Sequence, residues 1–318
     1  MNTVLVLLPV AEAHRKKLEA AGEDCRFLYS TRREADAALI RSADVIIGSP
    51  APGLIGGSEK LRWLQLDSAG ADAYVRPGVL HESTILTNAT GAYGRAVAEH
   101  AFAMTLMLQK KLHLYRDDQR QGRWSDRGPV SSLSGATVAV VGLGDIGLYY
   151  ARLAKALGAY VIGVKRRDAP LPEGVDELAL TQALDSVLPR ADVVMSVLPS
   201  TPETVHFYTA RRFELMKDTA LFINCGRGSA VAEDVLYDAL VNRSIAAAAI
   251  DVAEREPLPA DSPLWGLEDL VITPHVSGNY HLPEILERVV EIAAGNLRAF
   301  LTGAPMENLV DFATGYKA

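Results

Sequence analysis

Cysteine is nearly missing from this chain. Its 318 residues hold only Cys25 and Cys225, which rules out a disulfide framework and any paired-cysteine metal site. That scarcity fits a reducing, cytoplasmic setting. Positive charge is also in deficit: 32 Lys and Arg stand against 39 Asp and Glu, a formal net charge of −7. With no basic stripe, a nucleic-acid partner is not expected. Long apolar runs are absent too. The run Val4–Val10 is far shorter than the roughly 20 residues of a spanning helix. It has no basic stretch before it and no clear cleavage site after it, so neither a signal peptide nor a membrane partner is expected. No His, Cys, Asp or Glu cluster has recognisable ligand spacing, so no metal is expected. There is no solenoid-period repeat and no low-complexity tract.

What is present is an ordinary globular balance, 49% hydrophobic and 22% charged, in a length that suggests two domains. Short β-branched runs alternate with helical stretches, the rhythm of βαβ units and parallel sheets. Five strands are expected early, at Val4–Leu8, Cys25–Tyr29, Asp44–Gly48, Trp63–Leu66 and Thr84–Thr87. The stretch Ala96–Leu108 is apolar nearly all round, which reads as a buried helix, and Asp117–Ser134 reads as a polar connection. Six more strands follow, at Val138–Val141, Tyr160–Val164, Val193–Leu198, Ala220–Asn224, Ile245–Asp251 and Val271–Thr273. Six is the strand count of a dinucleotide-binding sheet. A last helix, Pro283–Leu301, is expected to return to the first domain. The first domain is then discontinuous, residues 1–100 and 284–318, with residues 101–283 forming the second.

The strongest local signal is Gly142-Leu143-Gly144-Asp145-Ile146-Gly147. It follows a strand and opens a helix, the context that lifts a GxGxxG above chance. Gly142 permits the tight turn, Gly144 admits a pyrophosphate to the backbone, and Gly147 lets helix and strand pack closely. Asp145, Ile146 and Gly147 then start a helix whose N–H groups face the anion. The competing reading is a tight turn with no ligand. In NAD sites a carboxylate about 20 residues beyond the turn usually takes the ribose 2′-hydroxyl. Here Lys165-Arg166-Arg167 follow the next strand, with no acid until Asp168. Guanidinium groups bind a 2′-phosphate that a carboxylate would repel. NADP(H) is therefore the expected cofactor, with NAD(H) as the alternative. The competing reading of the basic run is a solvated turn.

Four blocks then carry a resemblance. They are Thr87-Asn88 with Ala96-Val97-Ala98-Glu99-His100; Leu198-Pro199 with Thr204; Asn224-Cys225-Gly226-Arg227-Gly228 running into Val231-Ala232-Glu233; and Ile250 to Leu258 with Thr273-Pro274-His275. In this order, around the glycine turn, the chain resembles the D-2-hydroxyacid dehydrogenase family over nearly its whole length. The resemblance implies an α/β fold with two doubly wound parallel-sheet domains, a Rossmann nucleotide-binding domain and a flavodoxin-like substrate domain. It implies a catalytic trio of Arg227, Glu256 and His275. It adds Leu198, Pro199, Thr204, Cys225, Gly226, Arg227, Asp251, His275 and Gly278 to the cofactor site. It places Ser68, Ala69 and Gly70 on the substrate, and it implies a homodimer. Ala253 and Ala232 depart from the residues frequent at those positions, which bears on substrate fit.

The chemistry agrees with those residue types. Arg227 presents a fork of N–H donors suited to a carboxylate and a polarised carbonyl. His275 would give a proton during reduction and take it back during oxidation. Glu256 would hold its other ring nitrogen and favour the imidazolium. Asp251 has two readings: a partner for the nicotinamide carboxamide, as the resemblance implies, or a helix cap. His100 reads as a hydrogen-bonded core residue, and Tyr93 and Trp124 as possible pocket walls. The expected activity is hydride transfer between NADP(H), or NAD(H), and a small 2-oxo acid/D-2-hydroxy acid pair, as in reduction of glyoxylate or hydroxypyruvate. Formate oxidation is disfavoured by Glu256, where that subfamily has glutamine. The alternative from another class is a nucleotide-sensing binding protein or corepressor on the same fold, which keeps the same trio but usually carries added tails.

Overall fold

The computed structural model describes residues 1–313 and 315–317; residue 314 and the last residue of the 284–318 segment lie outside the described residues. It divides into two units, Met1–Tyr93 with Asn279–Ala318, and Gly94–Gly278.

The first unit is built on β1 (Thr3–Val6), β2 (Arg26–Tyr29), β3 (Val45–Ile47), β4 (Trp63–Gln65) and β5 (Ile85–Thr87), all parallel, in the order β2-β1-β3-β4-β5. This is the flavodoxin-like arrangement. Val4, Leu5, Val6 and all of β3 are fully buried, as apolar runs covered on both faces must be. Helix Pro283–Thr302 returns to this unit and buries Ile285, Val289, Val290, Ala293, Ala294 and Leu297. It is registered by a polar contact inside the core. Asn296 Nδ2 donates to Gln65 Oε1 (2.8 Å), which also accepts from the Thr87 hydroxyl (2.8 Å), and that oxygen in turn accepts from the indole of Trp63 (2.8 Å). A buried network with every member paired specifies one docking register, because each broken link leaves a desolvated polar atom.

The second unit carries seven parallel strands: β6 (Thr137–Val141), β7 (Tyr160–Lys165), β8 (Glu177–Leu180), β9 (Val193–Ser196), β10 (Leu221–Asn224), β11 (Ala247–Ile250) and β12 (Leu270–Ile272). Their order is β12-β11-β10-β9-β6-β7-β8. Order reverses between β6 and β9, the switch point at which ligands gather in such sheets. The extra strand, β8, corrects the expected six. Its sequence Glu-Leu-Ala-Leu lacks β-branched residues, and each is only partly buried at the sheet edge, so neither composition nor a long apolar run marks it.

Helix Gly94–Gln109 opens this unit and buries Val97, Ala98, Ala101, Met104 and Leu108. It packs on helix Asp145–Ala156, where the fully buried Tyr150 hydroxyl meets that of Thr105 at 2.8 Å. The expected connection Asp117–Ser134 is partly helical instead, since helix Leu112–Arg120 takes its first residues. The rest is tied to buried Asp118, which accepts from Arg123 Nε (2.8 Å) and Arg127 Nε (2.6 Å). The Arg127 hydrogen bond, with that of Arg123, holds its carboxyl below the ordinary range. Trp124, read as a possible pocket wall, is fully exposed. No helix among the described residues is long and apolar enough to cross a membrane.

Candidate active site

The glycine turn is shaped by contacts that exclude side chains. Gly142 leaves β6 with φ +102° and donates its amide to Val164 O at the end of β7 (3.0 Å). A Cβ there would stand 2.7 Å from the Val197 carbonyl, and one at Gly147 would overlap the carbonyl of Gly142 itself. Gly144 is the extended N-cap of helix Asp145–Ala156 and supplies no side-chain cap. The first-turn amides of that helix, Asp145, Ile146 and Gly147, therefore lack intrahelical acceptors and suit an anion. A cradle in which Gly142 and Gly147 leave no room for a side chain, at the switch point and at a helix start, suits a dinucleotide pyrophosphate.

Lys165 closes β7, and Arg166 and Arg167 stand exposed beyond it. Residues 198–204 lie close enough for the charge of Arg166 to be felt. Hydrogen bonds from the Thr201 hydroxyl and from its own amide hold Glu203 below the usual carboxylate range, and Arg166 adds to that. Thr204 does not point its hydroxyl outward. It donates to Pro199 O (2.6 Å) and accepts from Thr201 N (2.8 Å), so it braces the loop that follows half-buried Val197 and buried Leu198.

Arg227, Glu256 and His275 leave the carboxyl ends of three neighbouring strands, β10, β11 and β12. The first turn is as tight as the cofactor turn. A Cβ on Gly226 would lie 2.6 Å from both the amide nitrogen and the carbonyl oxygen of Leu198, and one on Gly228 would overlap the Ala253 carbonyl. Asn224 closes the loop, donating to Arg227 O (3.2 Å) and accepting from Gly226 N (3.1 Å). The Arg227 side chain is half-buried, and its Nη1 donates to Gly226 O at 2.9 Å. Cys225 is fully buried, and burial pushes its thiol well up, so it is an inert wall here.

His275 sits at φ +52°, a left-handed conformation uncommon for a residue with a side chain. Its amide donates to Asp251 O (2.7 Å). Its Nδ1 lies 2.8 Å from Glu256 Oε2, with ring and carboxylate 47% and 39% exposed. The other Glu256 oxygen accepts from Ala253 N at 3.1 Å, and a cis bond links Glu256 to Pro257. The carboxylate is thus fixed at both oxygens, and His275 Nε2 has no hydrogen-bond partner among the described residues. Asp251 is 1% exposed and starts no helix, which corrects the helix-cap reading. It accepts from Thr273 Oγ1, Val276 N (3.0 Å), Ser277 N and Ser277 Oγ. His100 completes this brace through Thr273 Oγ1 at 3.0 Å. Gly278 ends the same loop and the unit.

Residues 102–277 match the profile described as "D-isomer specific 2-hydroxyacid dehydrogenase, NAD binding domain". The chain belongs to that family. It is similar to a glyoxylate/hydroxypyruvate reductase B from Escherichia fergusonii, 32% identical over 82% of this chain and 85% of that one. Among solved structures it is similar to a D-isomer-specific 2-hydroxyacid dehydrogenase family protein from Aeromonas salmonicida, at 35% identity, TM-score 0.85, and 98% and 99% coverage of the two chains. It is also similar to an NADPH-dependent glyoxylate/hydroxypyruvate reductase from Sinorhizobium meliloti solved with NADP and sulfate, at 25% identity, TM-score 0.82, and 99% and 100% coverage.

This 2-hydroxyacid dehydrogenase chain carries a further polar cluster that the motifs do not flag. In the first unit, the Ser68–Gly70 loop follows β4. Its carbonyls are engaged: Ser68 O accepts from Ala89 N (2.9 Å), Ala69 O from Asn88 Nδ2 (2.8 Å), and Gly70 O from the Ser68 hydroxyl (2.7 Å). Its amides have no acceptor among the described residues. Directly before it, Asp67 is gripped by Ser49, Tyr93 and Tyr280. These partners lie up to 213 positions away in the chain, so no local pattern reveals them. Only the placement of Ser49 and Asp67 just beyond two strand ends gives a hint.

Proposed function

We propose that this dehydrogenase reduces small 2-oxo acids of the glyoxylate or hydroxypyruvate kind to D-2-hydroxy acids, preferring NADPH to NADH. The observation that carries the reading is the His275–Glu256 pair at 2.8 Å, one strand away from Arg227 on the carboxyl edge of a sheet with a glycine-shaped cofactor turn. It is supported by the NADPH-dependent and glyoxylate/hydroxypyruvate-reducing relatives described above.

In this reading residues 142–147 hold the pyrophosphate of the cofactor, and Arg166 and Arg167, with Lys165, take its 2′-phosphate. Leu198, Pro199, Cys225, Gly226 and Gly278 shape the rest of that site, and Thr204 and Asp251 act by bracing their loops. The bound nicotinamide supplies the hydride. Arg227 binds the 2-oxo acid and polarises its carbonyl. The amides of Ser68, Ala69 and Gly70 take the carboxylate. His275 Nε2 then delivers a proton to the carbonyl oxygen as it becomes a hydroxyl, while Glu256 keeps Nδ1 protonated and the ring aligned. The first unit is thus a substrate-binding domain and the second a nucleotide-binding one. The protein acts in the cytoplasm as a homodimer, which light scattering would test.

The decisive measurement is NADPH and NADH oxidation across a panel of 2-oxo acids. Turnover of glyoxylate or hydroxypyruvate, faster with NADPH, is the expected result. Binding of NADPH without turnover on any member of the panel would replace this reading with a nucleotide sensor.

A further inference from the structure

Asp67 occupies a distinctive position on the carboxyl edge of the first sheet. It stands between β4 and the Ser68–Gly70 loop whose amides lack acceptors. Both hydrogen bonds on its carboxylate come from neutral hydroxyls, that of Ser49 on one oxygen and that of Tyr280, at 2.7 Å, on the other. Its carbonyl accepts from the Tyr93 hydroxyl. Burial, reinforced by the charge of Asp67, pushes both phenols well above their ordinary range, so both stay protonated and donate. Hydroxyl donors orient this carboxylate without bringing a positive charge against it. Asp67 and the loop after it remain partly exposed.

We propose that Asp67 is a specificity-determining residue: a fixed anion beside the substrate-carboxylate loop that admits 2-oxo acids whose third carbon carries hydrogen or hydroxyl and rejects those carrying a second anion, phosphate or carboxylate. The proposal rests on the reading of Ser68–Gly70 given under the proposed function and adds the class of side group tolerated. A substrate held by one carboxylate on those amides brings its far end within a few ångströms of the neighbouring side chain. Like charges at about 5–7 Å in a half-exposed site repel strongly enough to lower affinity by about two orders of magnitude. A hydroxyl in the same place gains an acceptor instead. Ser49 and Tyr280 orient the carboxylate from opposite oxygens, and with either donor removed the charge still stands beside the loop.

The test compares kcat/KM for hydroxypyruvate with that for 3-phosphohydroxypyruvate and oxaloacetate, in the whole enzyme and in Asp67→Asn. The native protein should favour hydroxypyruvate over either dianion by about 100-fold or more. In Asp67→Asn that ratio should fall by at least about 10-fold, whatever the absolute rates do, with the change in KM rather than kcat. Tyr280→Phe removes a neutral donor but keeps the anion, so its ratio should stay as high as in the native protein. A ratio unchanged in Asp67→Asn, or one that collapses equally in Tyr280→Phe, overturns the proposal and makes the cluster a structural brace. Native protein that turns over dianions as readily as hydroxypyruvate also overturns it. Failure of the underlying reading looks different, since no 2-oxo acid would then be reduced at all.

Discussion

The carboxyl edges of the two sheets are assembled from different materials. On the second sheet, backbone approaches backbone: Gly142 against Val197, Gly226 against Leu198, Gly228 against Ala253. Charged side chains then stand on loops with almost no conformational freedom. On the first sheet, the edge is held by side chains. The Asp67 cluster draws on Ser49, Tyr93 and Tyr280, and the neighbouring core on Trp63, Gln65, Thr87 and Asn296. Precision has a different source on each edge. Proton delivery and polarisation need atoms placed to within a fraction of an ångström, which rigid backbone provides. Recognition of a substrate side group tolerates the looser geometry of a hydroxyl network, and such a network varies without disturbing the chemistry.

The largest effect is expected at His275. His275→Ala should lower kcat for 2-oxo acid reduction by about 10²–10⁴-fold, with NADPH affinity little changed; stopped-flow turnover alongside fluorescence titration separates the two. Glu256→Gln should lose less than that, since the ring keeps a partner. If His275→Ala costs less than tenfold, the second edge does not do the proton chemistry.

Backbone crowding gives the next largest effect. Gly228→Ala places a methyl where the Ala253 carbonyl already lies. The loop cannot move without displacing Arg227 on one side and the chain to Glu256 on the other. Overpacking of this kind costs about 3 kcal/mol, readable by urea denaturation. Gly53→Ala in the first unit is the control. A Cβ there meets nothing within 4 Å, and the helix turn Pro52–Ile55 accepts alanine. It should be neutral or stabilise by about 0.5 kcal/mol. Third in size is the basic run Lys165–Arg167, proposed to take the 2′-phosphate. Replacing Arg166 and Arg167 with serine removes charge-assisted hydrogen bonds that, at this exposed position, are worth about 1.5–3 kcal/mol in total. The ratio of kcat/KM for NADPH over NADH should therefore fall by about 10–100-fold. An unchanged ratio would return Lys165–Arg167 to the status of a solvated turn.

The same contrast explains what could be read from the sequence. Where backbone geometry is limiting, residue type is forced, so Gly142, Gly147, Gly226 and Gly228 print the site into the chain. The strands β6, β9, β10 and β11 are legible because both faces are buried, which demands continuous apolar runs. β8 escaped because an edge strand needs neither branching nor full burial. The helix-cap reading of Asp251 fails because a carboxylate at a strand end looks alike in the sequence whether it caps a helix or stitches a loop. The Asp67 cluster was illegible because its four members belong to four separate stretches of chain. Their meeting depends on helix Pro283–Thr302 and the residues before it returning to the first sheet.

The smallest predicted effect probes the hydroxyl network alone. Burial, then the charges of Asp67 and Tyr93, raise the Tyr280 phenol above its ordinary value, which is near 10 in an unfolded chain. Below about pH 10 the hydroxyl is neutral in both states, and its hydrogen bond contributes fully, about 1 kcal/mol. As pH climbs past about 10, the unfolded chain releases this proton first, so the folded state loses stability with rising pH. Tyr280→Phe should cost about 1 kcal/mol near neutrality and should flatten the alkaline decline above about pH 10. Urea melts at about pH 8 and about pH 10.5 measure both. His275→Ala, on the other edge, should leave that alkaline slope as it was. An equal flattening by both substitutions would mean the two edges share one titrating network, and the contrast between them would be lost.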